Sequence, residues 1–402
     1  MMPMKRKDLF SSVSKPVREL KSAQTFAYSD MASQLAREGR EIISFGIGQP
    51  DFPTPQHIVD AAVKALREGF TRYVSPPGIP ELRQEIARYV SAVTGAGDVK
   101  PEETLVTAGA KHAMFFAVAS YVQPGDEVVI PDPSFYAYTH AVRYAGGTPV
   151  FLPLKEEQGF TLTAEDVHEA ITRKTRMIIL NSPHNPTGGM LPRSALKGIL
   201  ELAKENGVIV ASDEIYDHYT YEEGFMSALE DPDWRDYVLY VNSLSKTYAM
   251  TGWRLGYLVA RREAIERFAL FTANTVSCAT AFVQKAGVAA LRGPQDFFKA
   301  IITEYRARRD IMHRELNRIP GIRAAKPAGA FYVFPNITAI LRQAEMSTAE
   351  FTITLMKETG VVVLPGSAFP NTAGEGYLRM SYALPRGAMK KGLEKLKEGI
   401  HA

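Results

Sequence analysis

The sequence predicts an α/β protein, in which a large domain with a mostly parallel sheet precedes a smaller α+β domain. Seven short apolar runs recur along the chain, and several are apolar at nearly every position, as expected of strands covered on both faces of a parallel sheet. Longer segments with helical spacing separate them, and such alternation is typical of an α/β domain. The runs lie at 41–45, 104–107, 127–130, 177–180, 208–212, 238–243 and 255–260.

The helical segments between these runs have clear boundaries. Residues 56–69 and 192–207 both show amphipathic spacing. The second begins at Pro192 and ends at Gly207, which matches the preference for proline early in a helix and glycine just past its end. Before the first run, the pattern indicates one helix, at 29–39.

The pattern changes after about residue 290. A long charged helical stretch (297–319) precedes three apolar runs and a lysine-rich helix at the C-terminus. The runs lie at 329–334, 360–364 and 377–382. We therefore predict three parts: an N-terminal segment (1–50) that packs with the small domain, a large ligand-binding domain (51–290) and a small C-terminal domain (291–402).

Composition argues against several classes of protein. The 402 residues are 46% hydrophobic and 23% charged, and the net charge of +3 favours neither nucleic acid nor an anionic membrane as partner. No run approaches the roughly eighteen apolar residues of a membrane span. A single cysteine, Cys278, favours a reducing cytoplasm. His112, His184 and His218 lack the spacing of metal ligands, so we expect no metal site.

Polar residues follow four of the predicted strands. In open α/β sheets, ligands bind at the carboxyl ends of the strands. The segment 109–111 opens a helix whose free N–H groups suit a phosphate. Asn185 lies in a loop after 177–180, and Asp213 with Tyr216 follows 208–212. Each feature alone is ordinary turn or cap chemistry, but together they indicate one ligand site.

The lysine and arginine after the run at 238–243 complete the set. A buried lysine loses hydration, so its pKa falls and its amine becomes a nucleophile that forms Schiff bases with carbonyls. A carboxylate such as Asp213 keeps a pyridine nitrogen protonated, and hydroxyls with an arginine bind phosphate. Lys246, Asp213, Ser243 and Arg254 thus meet the requirements of pyridoxal 5'-phosphate (PLP).

These residues lie in stretches that resemble a known family. The segments "FGIGQPDFPTP", "NSPHNPTGG", "SDEIYDHY", "SLSKTYAMTGWRLGY" and "LRMSYA" occur in the order found in class I/II aminotransferases, PLP enzymes of the aspartate aminotransferase fold. The resemblance covers nearly the whole chain. It implies the PLP-transferase fold type I, with a mostly parallel seven-stranded sheet in the large domain.

The resemblance also implies roles for the cofactor site. Lys246 would carry the Schiff base and shuttle a proton, Asp213 would pair with the pyridinium nitrogen, and Asn185 and Tyr216 would hydrogen-bond the phenolic oxygen of the ring. Phe135 would stack on the ring, with Tyr136 as the alternative. The phosphate would contact a last group of residues, namely Gly109, Ala110, Lys111, Ser243, Ser245 and Arg254.

Two further assignments concern the substrate and the partner subunit. Arg379 resembles the arginine that binds the substrate's α-carboxylate, with Gly48 and Asn185 beside it. Tyr73 matches a tyrosine that reaches the phosphate of the neighbouring subunit, which implies a homodimer with shared active sites.

The implied reaction moves the amino group of an L-amino acid to 2-oxoglutarate with ping-pong kinetics. The window 271–284 contains no arginine or lysine for a second substrate carboxylate. Lys111, Arg72 or a tyrosine could replace it, or the enzyme could accept neutral or aromatic side chains, so we expect an aspartate-type or a broad-range enzyme.

Two other functions remain as alternatives. A PLP-dependent carbon–sulfur β-lyase or a related synthase would share the lysine motif. A PLP-sensing regulator would carry a DNA-binding domain, whereas the residues before 41–45 show one helix and no helix-turn-helix pair. We therefore favour an enzyme.

Overall fold

The computed structural model describes residues 13–18, 24–222, 224–369 and 373–401. Its strands are β1 (Ile43–Ser44), β2 (Thr104–Thr107), β3 (Glu127–Asp132), β4 (Thr148–Pro153), β5 (Thr175–Asn181), β6 (Ile209–Asp213), β7 (Val238–Ser243), β8 (Gly256–Val259), β9 (Tyr332–Val333), β10 (Val361–Val362), β11 (Leu364–Pro365) and β12 (Leu378–Ser381). Its helices are α1 (Lys15–Arg18), α2 (Gln24–Arg37), α3 (Gln56–Arg67), α4 (Pro80–Thr94), α5 (Ala110–Tyr121), α6 (Tyr136–Tyr144), α7 (Ala164–Ala170), α8 (Arg193–Glu205), α9 (Trp234–Tyr237), α10 (Leu244–Thr247), α11 (Arg262–Thr275), α12 (Ala281–Arg292), α13 (Phe297–Leu316), α14 (Thr338–Ala344), α15 (Thr348–Thr359) and α16 (Arg386–His401).

Seven strands form the central sheet, in the order β2–β8–β7–β6–β5–β3–β4. Every neighbouring pair from β7 to β4 is parallel, whereas β8 runs antiparallel to both β7 and β2. Helices cover both faces, and every strand except β4 is almost entirely buried. The predicted α/β class with a mostly parallel seven-stranded sheet is confirmed.

One predicted strand does not join this sheet. Within the run at 41–45, only Ile43 and Ser44 form a strand, and β1 pairs in parallel with β10 in a separate two-stranded sheet. The seventh strand of the central sheet is β4, which no predicted run covers. It lies at the sheet edge, is partly exposed and contains Pro149 and Pro153. Proline lacks the N–H group that a central strand requires, and an edge strand tolerates it.

The C-terminal part builds a small antiparallel sheet in the order β11–β12–β9. The predicted strand at 360–364 divides into β10 and β11, and 329–334 contributes only the two residues of β9. The core of this part also includes Tyr216, Tyr219 and Tyr221, which follow β6 of the large sheet. The two parts therefore share buried contacts, and the domain limits at 50 and 290 stay predictions.

The common direction of the strands places several loops together at the carboxyl end of the sheet. Because β2, β3, β5, β6 and β7 point the same way, the loops after these strands lie side by side there. The small sheet packs opposite, and α2 packs against β10 and β11 through Tyr28 and Ala32. Within the described ranges, no helix is long and apolar enough to cross a membrane.

Candidate active site

A cavity of about 810 Å³ opens at the carboxyl end of the sheet. It collects most of the residues that the sequence predicts for the site, although Gly109, Ser243 and Tyr73 are not among its lining residues. The predicted residues that line it are Gly48, Ala110, Lys111, Phe135, Asn185, Asp213, Tyr216, Ser245, Lys246, Arg254 and Arg379.

Lys246 extends into this cavity from α10, directly after β7. Its Nζ donates a hydrogen bond to the carbonyl oxygen of Gly48 at 2.6 Å. The ring centres of Tyr216 and Phe331 lie 5.7 and 5.8 Å from the same atom. Burial, followed by the charge of Arg379, lowers the pKa of the Lys246 amine to about 7. A large fraction of the amine is thus neutral, and nucleophilic, near neutral pH.

Asp213 ends β6 and presents a carboxylate to the same space. Its Oδ2 accepts a hydrogen bond from the Tyr138 hydroxyl at 2.6 Å, and its Oδ1 accepts one from the backbone N–H of Ile215 at 3.2 Å. Burial raises the pKa of Asp213 to about 6, although both donors favour the ionised form. A cationic group brought into the cavity would relieve the cost of this buried negative charge.

An anion cradle lies where α5 begins. Gly109 precedes this helix with φ of +88°, and a Cβ there would lie 2.5 Å from a guanidinium nitrogen of Arg254. Arg254 donates to the carbonyl oxygens of Thr251 and Ala108 at 2.9 and 3.2 Å, which holds its planar group over the helix start. Within the described residues, the buried Oγ of Ser245 has no hydrogen-bond partner. Helix-start amides, a guanidinium and a free hydroxyl fit a phosphate group.

Ser243 caps the helix that carries Lys246. Its hydroxyl accepts a hydrogen bond from the backbone N–H of Ser245 at 2.8 Å and thereby caps α10. Ser243 also lines a separate small pocket, together with Tyr89 and Asp217. The cap uses Ser243 as an acceptor and leaves its hydroxyl proton available, so its predicted contact with a phosphate stays a prediction.

Arg379, on β12, occupies the opposite wall of the cavity. Its guanidinium donates to the carbonyl oxygen of Gly46 at 2.5 Å and to Oδ1 of Asn185 at 3.3 Å. It lies 4.6 and 4.8 Å from the ring centres of Tyr332 and Phe369. Its buried Nε has no partner among the described residues. A buried guanidinium with a free donor is suited to a carboxylate ligand.

The remaining predicted residues are held by short local contacts. The Asn185 backbone N–H donates to Oδ1 of Asn181 at 2.9 Å, which places the Asn185 side chain beside Arg379. Phe135 and Tyr136 both line the cavity, and Lys111 Nζ donates to the Tyr136 hydroxyl at 3.0 Å. Phe135 and Tyr136 thus both stay possible stacking partners for a ring.

Tyr73 does not reach the cavity of its own chain. Its side chain is 88% exposed, which is unusual for a large aromatic residue. The role predicted for it in a neighbouring subunit stays a prediction.

Sequence reasoning missed two tyrosines of the site. Tyr138 hydrogen-bonds Asp213, and it follows Phe135 by three positions, so the start of α6 places both on one side. Tyr332 lies in the run 329–334, which indicated only a strand; its hydroxyl is 2.7 Å from that of Tyr216. The spacing within "PSFYAY" was a signal for the first, whereas only the packing of β9 reveals the second.

Enzymes that transfer an amino group through PLP require a nucleophilic amine, a ring-nitrogen partner, a phosphate cradle and a carboxylate binder within one cavity. The chain is a PLP-dependent transaminase by class. It belongs to the family "Aminotransferase class I and II", whose model matches residues 40–396. The predicted resemblance to this family is confirmed.

Relatives and solved structures agree over nearly the full length. The chain is 46% identical to an aspartate aminotransferase of Sulfurisphaera tokodaii over 94% of both proteins, and 45% identical to one of Sulfolobus acidocaldarius over 96% of this chain and 97% of that protein. The structure of the Thermus thermophilus aspartate aminotransferase with maleate superposes with a TM-score of 0.90 at 35% identity, over 96% of this chain and 99% of that one.

Proposed function

We propose that this aminotransferase moves the amino group of an L-amino acid, of aspartate type or broad range, to 2-oxoglutarate through a Schiff base between Lys246 and PLP. The observation that carries the proposal is that the Lys246 amine lies in one cavity with Asp213 and Arg379, where burial lowers its pKa. The names of the relatives, which are aspartate aminotransferases, support the donor class.

The residues around the cavity fit PLP as a resident group. Ala110 and Lys111 would bind its phosphate through backbone N–H groups, together with Ser245 and Arg254. Asp213 would pair with its ring nitrogen, and Phe135 would lie against its ring. When bound, PLP supplies an electron sink for the substrate's α-carbon.

The chain's own groups then have distinct tasks. Arg379 binds the α-carboxylate and fixes the orientation of the substrate. Lys246 holds and returns a proton at Nζ, and a pKa near the working pH suits a group that must both accept and donate it. Tyr138 keeps Asp213 in its ionised form by donating a hydrogen bond.

The side chain of the substrate needs a second recognition group. Of the candidates left open by the sequence, Lys111 and Tyr136 line the cavity, whereas Arg72 is not among its lining residues. We propose that Lys111 binds the second carboxylate of aspartate and of 2-oxoglutarate, since an ammonium close to the cavity opening attracts an anion.

A panel of amino donors tests the proposal. Each L-amino acid is incubated with 2-oxoglutarate and PLP-loaded enzyme, and glutamate is measured. We expect glutamate in amounts equal to the oxo acid formed, with aspartate among the best donors. A chain that forms no glutamate with any donor would contradict the proposed reaction.

The β-lyase alternative gives different products. A carbon–sulfur lyase releases a thiol, pyruvate and ammonia from a cysteine conjugate and needs no added oxo acid as amino acceptor. We expect such products to be far less abundant than glutamate in the donor panel, and the reverse ratio would favour the lyase.

We also propose a homodimer in the cytoplasm. The exposed Tyr73 supports the dimer, because a partner subunit would bury it at the second active site. Mixing refolded Lys246→Ala and Tyr73→Ala chains would produce one intact site per mixed dimer, and activity should exceed that of either variant alone. Activity equal to the average of the two would contradict shared sites.

A further inference from the structure

Two phenols meet in the wall of the cavity. Tyr216 follows β6 of the large sheet, and Tyr332 lies on β9 of the small one. Their hydroxyl oxygens are 2.7 Å apart, and their rings are perpendicular, with centres 5.6 Å apart. Both side chains are buried, with 3% and 1% exposure. Within the described residues, each hydroxyl has the other as its hydrogen-bond partner.

The surroundings of Tyr332 fix the position of its hydroxyl. A Cβ on Gly48 would lie 2.6 Å from this oxygen, so the hydroxyl rests directly against the Gly48 backbone. The same glycine accepts the hydrogen bond of Lys246 Nζ through its carbonyl oxygen. Tyr332 is therefore in contact with the segment that holds the lysine amine.

The charge of Arg379 indicates which phenol donates. Its guanidinium carbon lies 4.6 Å from the centre of the Tyr332 ring. Burial raises the pKa of both phenols, and both remain neutral at physiological pH. After burial, Arg379 is the main influence on Tyr332 and acts to lower its pKa, whereas it ranks behind other groups at Tyr216. The distance alone allows either hydroxyl to donate. The Arg379 cation lies closer to the Tyr332 ring than Lys246 Nζ lies to the Tyr216 ring (4.6 against 5.7 Å), and a nearby cation makes a phenol a stronger donor, so this contact favours Tyr332 as the donor and Tyr216 as the acceptor.

We propose that Tyr332 is a positioning residue for the aminotransferase reaction: its hydroxyl donates to Tyr216 and leaves the Tyr216 proton directed into the cavity. The inference rests on the proposed function, because the acceptor of the hydrogen bond from Tyr216 would be the phenolic oxygen of PLP. Hydrogen bonds in such a chain polarise one another, so donation by Tyr332 strengthens donation by Tyr216.

The absorbance of the PLP-loaded enzyme as a function of pH reports the strength of the hydrogen bond that Tyr216 donates. A donor to the phenolic oxygen favours the deprotonated chromophore, so loss of the donor raises the pH midpoint of its titration. We expect Tyr332→Phe to raise the midpoint by about half a pH unit, since a hydrogen bond contributes roughly 1 kcal/mol net. Tyr216→Phe should raise it further. The double variant should match Tyr216→Phe, because Tyr332 acts through Tyr216.

Tyr382→Phe is a matched control. Tyr382 is buried in the same core, and its hydroxyl donates to the carbonyl oxygen of Ala330 at 3.1 Å, outside the cavity lining. Its midpoint should equal that of the wild type. Tyr332→Phe keeps the ring beside Arg379, so its Michaelis constant for the amino donor should change less than about twofold, as expected when that ring contact is retained.

A second substitution, expected to shift the pH midpoint in the opposite direction, distinguishes the proposed effect from misfolding. A difluorinated tyrosine at position 332 keeps the packing and the hydroxyl but is a stronger acid, and it should lower the midpoint. Wild-type midpoints for both Tyr332→Phe and this analogue would overturn the inference, and so would a double variant that shifts well beyond Tyr216→Phe. If the wild type forms no chromophore with PLP, the proposed function itself fails, which is a separate result.

Discussion

The two walls of the cavity each hold a buried basic side chain, Arg379 on one and Lys246 on the other, and the two differ in whether they keep their charge near neutral pH. Arg379 has a carbonyl, an amide oxygen and two aromatic rings around its guanidinium, and guanidinium groups stay charged in proteins. Lys246 also lies near two aromatic rings, but it has one hydrogen-bond acceptor, and burial followed by the charge of Arg379 lowers its pKa to about 7. The guanidinium keeps its charge when buried and serves as a binding group, whereas the buried amine loses its proton near neutral pH and becomes reactive.

The largest effect should come from removing the reactive amine. Lys246→Ala should lower turnover by at least about 10⁴-fold, because both the nucleophile and the general base are lost. Lys197→Ala, an exposed lysine on α8, is the control and should retain wild-type rates. Turnover of Lys246→Ala within tenfold of the wild type would remove this lysine from the mechanism.

The carboxylate beside the amine should come next. Asp213→Asn removes the negative charge that would keep the cofactor's ring nitrogen protonated, so turnover should fall by about 10²–10³-fold, as for the loss of other electrostatic groups at active sites. Steady-state kinetics with aspartate measures it. Asp233→Asn, which affects only a surface pair with Lys204, should leave turnover unchanged.

The binding cation should respond differently from the reactive one. Arg379→Lys replaces a two-point contact with a single ammonium, so the Michaelis constants for both substrates should rise by about 10–100-fold, with a smaller change in turnover number. Arg386→Lys, in an exposed pair with Glu304, is the control. Unchanged Michaelis constants in Arg379→Lys would break the assigned role.

The last prediction concerns stability rather than activity, and the sign of the effect distinguishes the two cations. In the cofactor-free protein the pKa of Lys246 is about 7, against an ordinary 10.5. Between these values the unfolded chain binds a proton that the folded chain does not, so the amine costs stability increasingly as pH falls from 10.5 to 7.

Lys246→Met should therefore raise the free energy of unfolding by a few kcal/mol at pH 6, and the gain should vanish above about pH 10. Denaturant unfolding at both values measures it. Arg379→Met should instead destabilise the protein at both, since it leaves acceptors without a donor. A loss of stability in Lys246→Met at pH 6 would contradict the claim that the buried amine of Lys246 costs stability at that pH.

The two walls also differ in how far the sequence predicted them. Lys246, Asp213 and Asn185 follow buried strands of a parallel sheet, so local pattern and strand direction were sufficient to bring them together. The sequence could not show that Ser243 caps α10, because two serines at a helix start differ only in which one accepts the capping bond.

The opposite wall depends on contacts between distant segments. Arg379 was recognised by its motif, but Tyr332 shows no local signal, and its role depends on packing against Gly48 and Tyr216. Strand β4 was missed for a related reason, since an edge strand with two prolines lacks the apolar pattern of a buried one.

Borohydride reduction of the PLP-loaded enzyme, followed by mass spectrometry of its peptides, tests the central claim most directly. The buried amine predicts a single reduced adduct on the peptide that contains Lys246, and no adduct in Lys246→Ala. An adduct on Lys111, which also lines the cavity, or no adduct on any lysine, would contradict it.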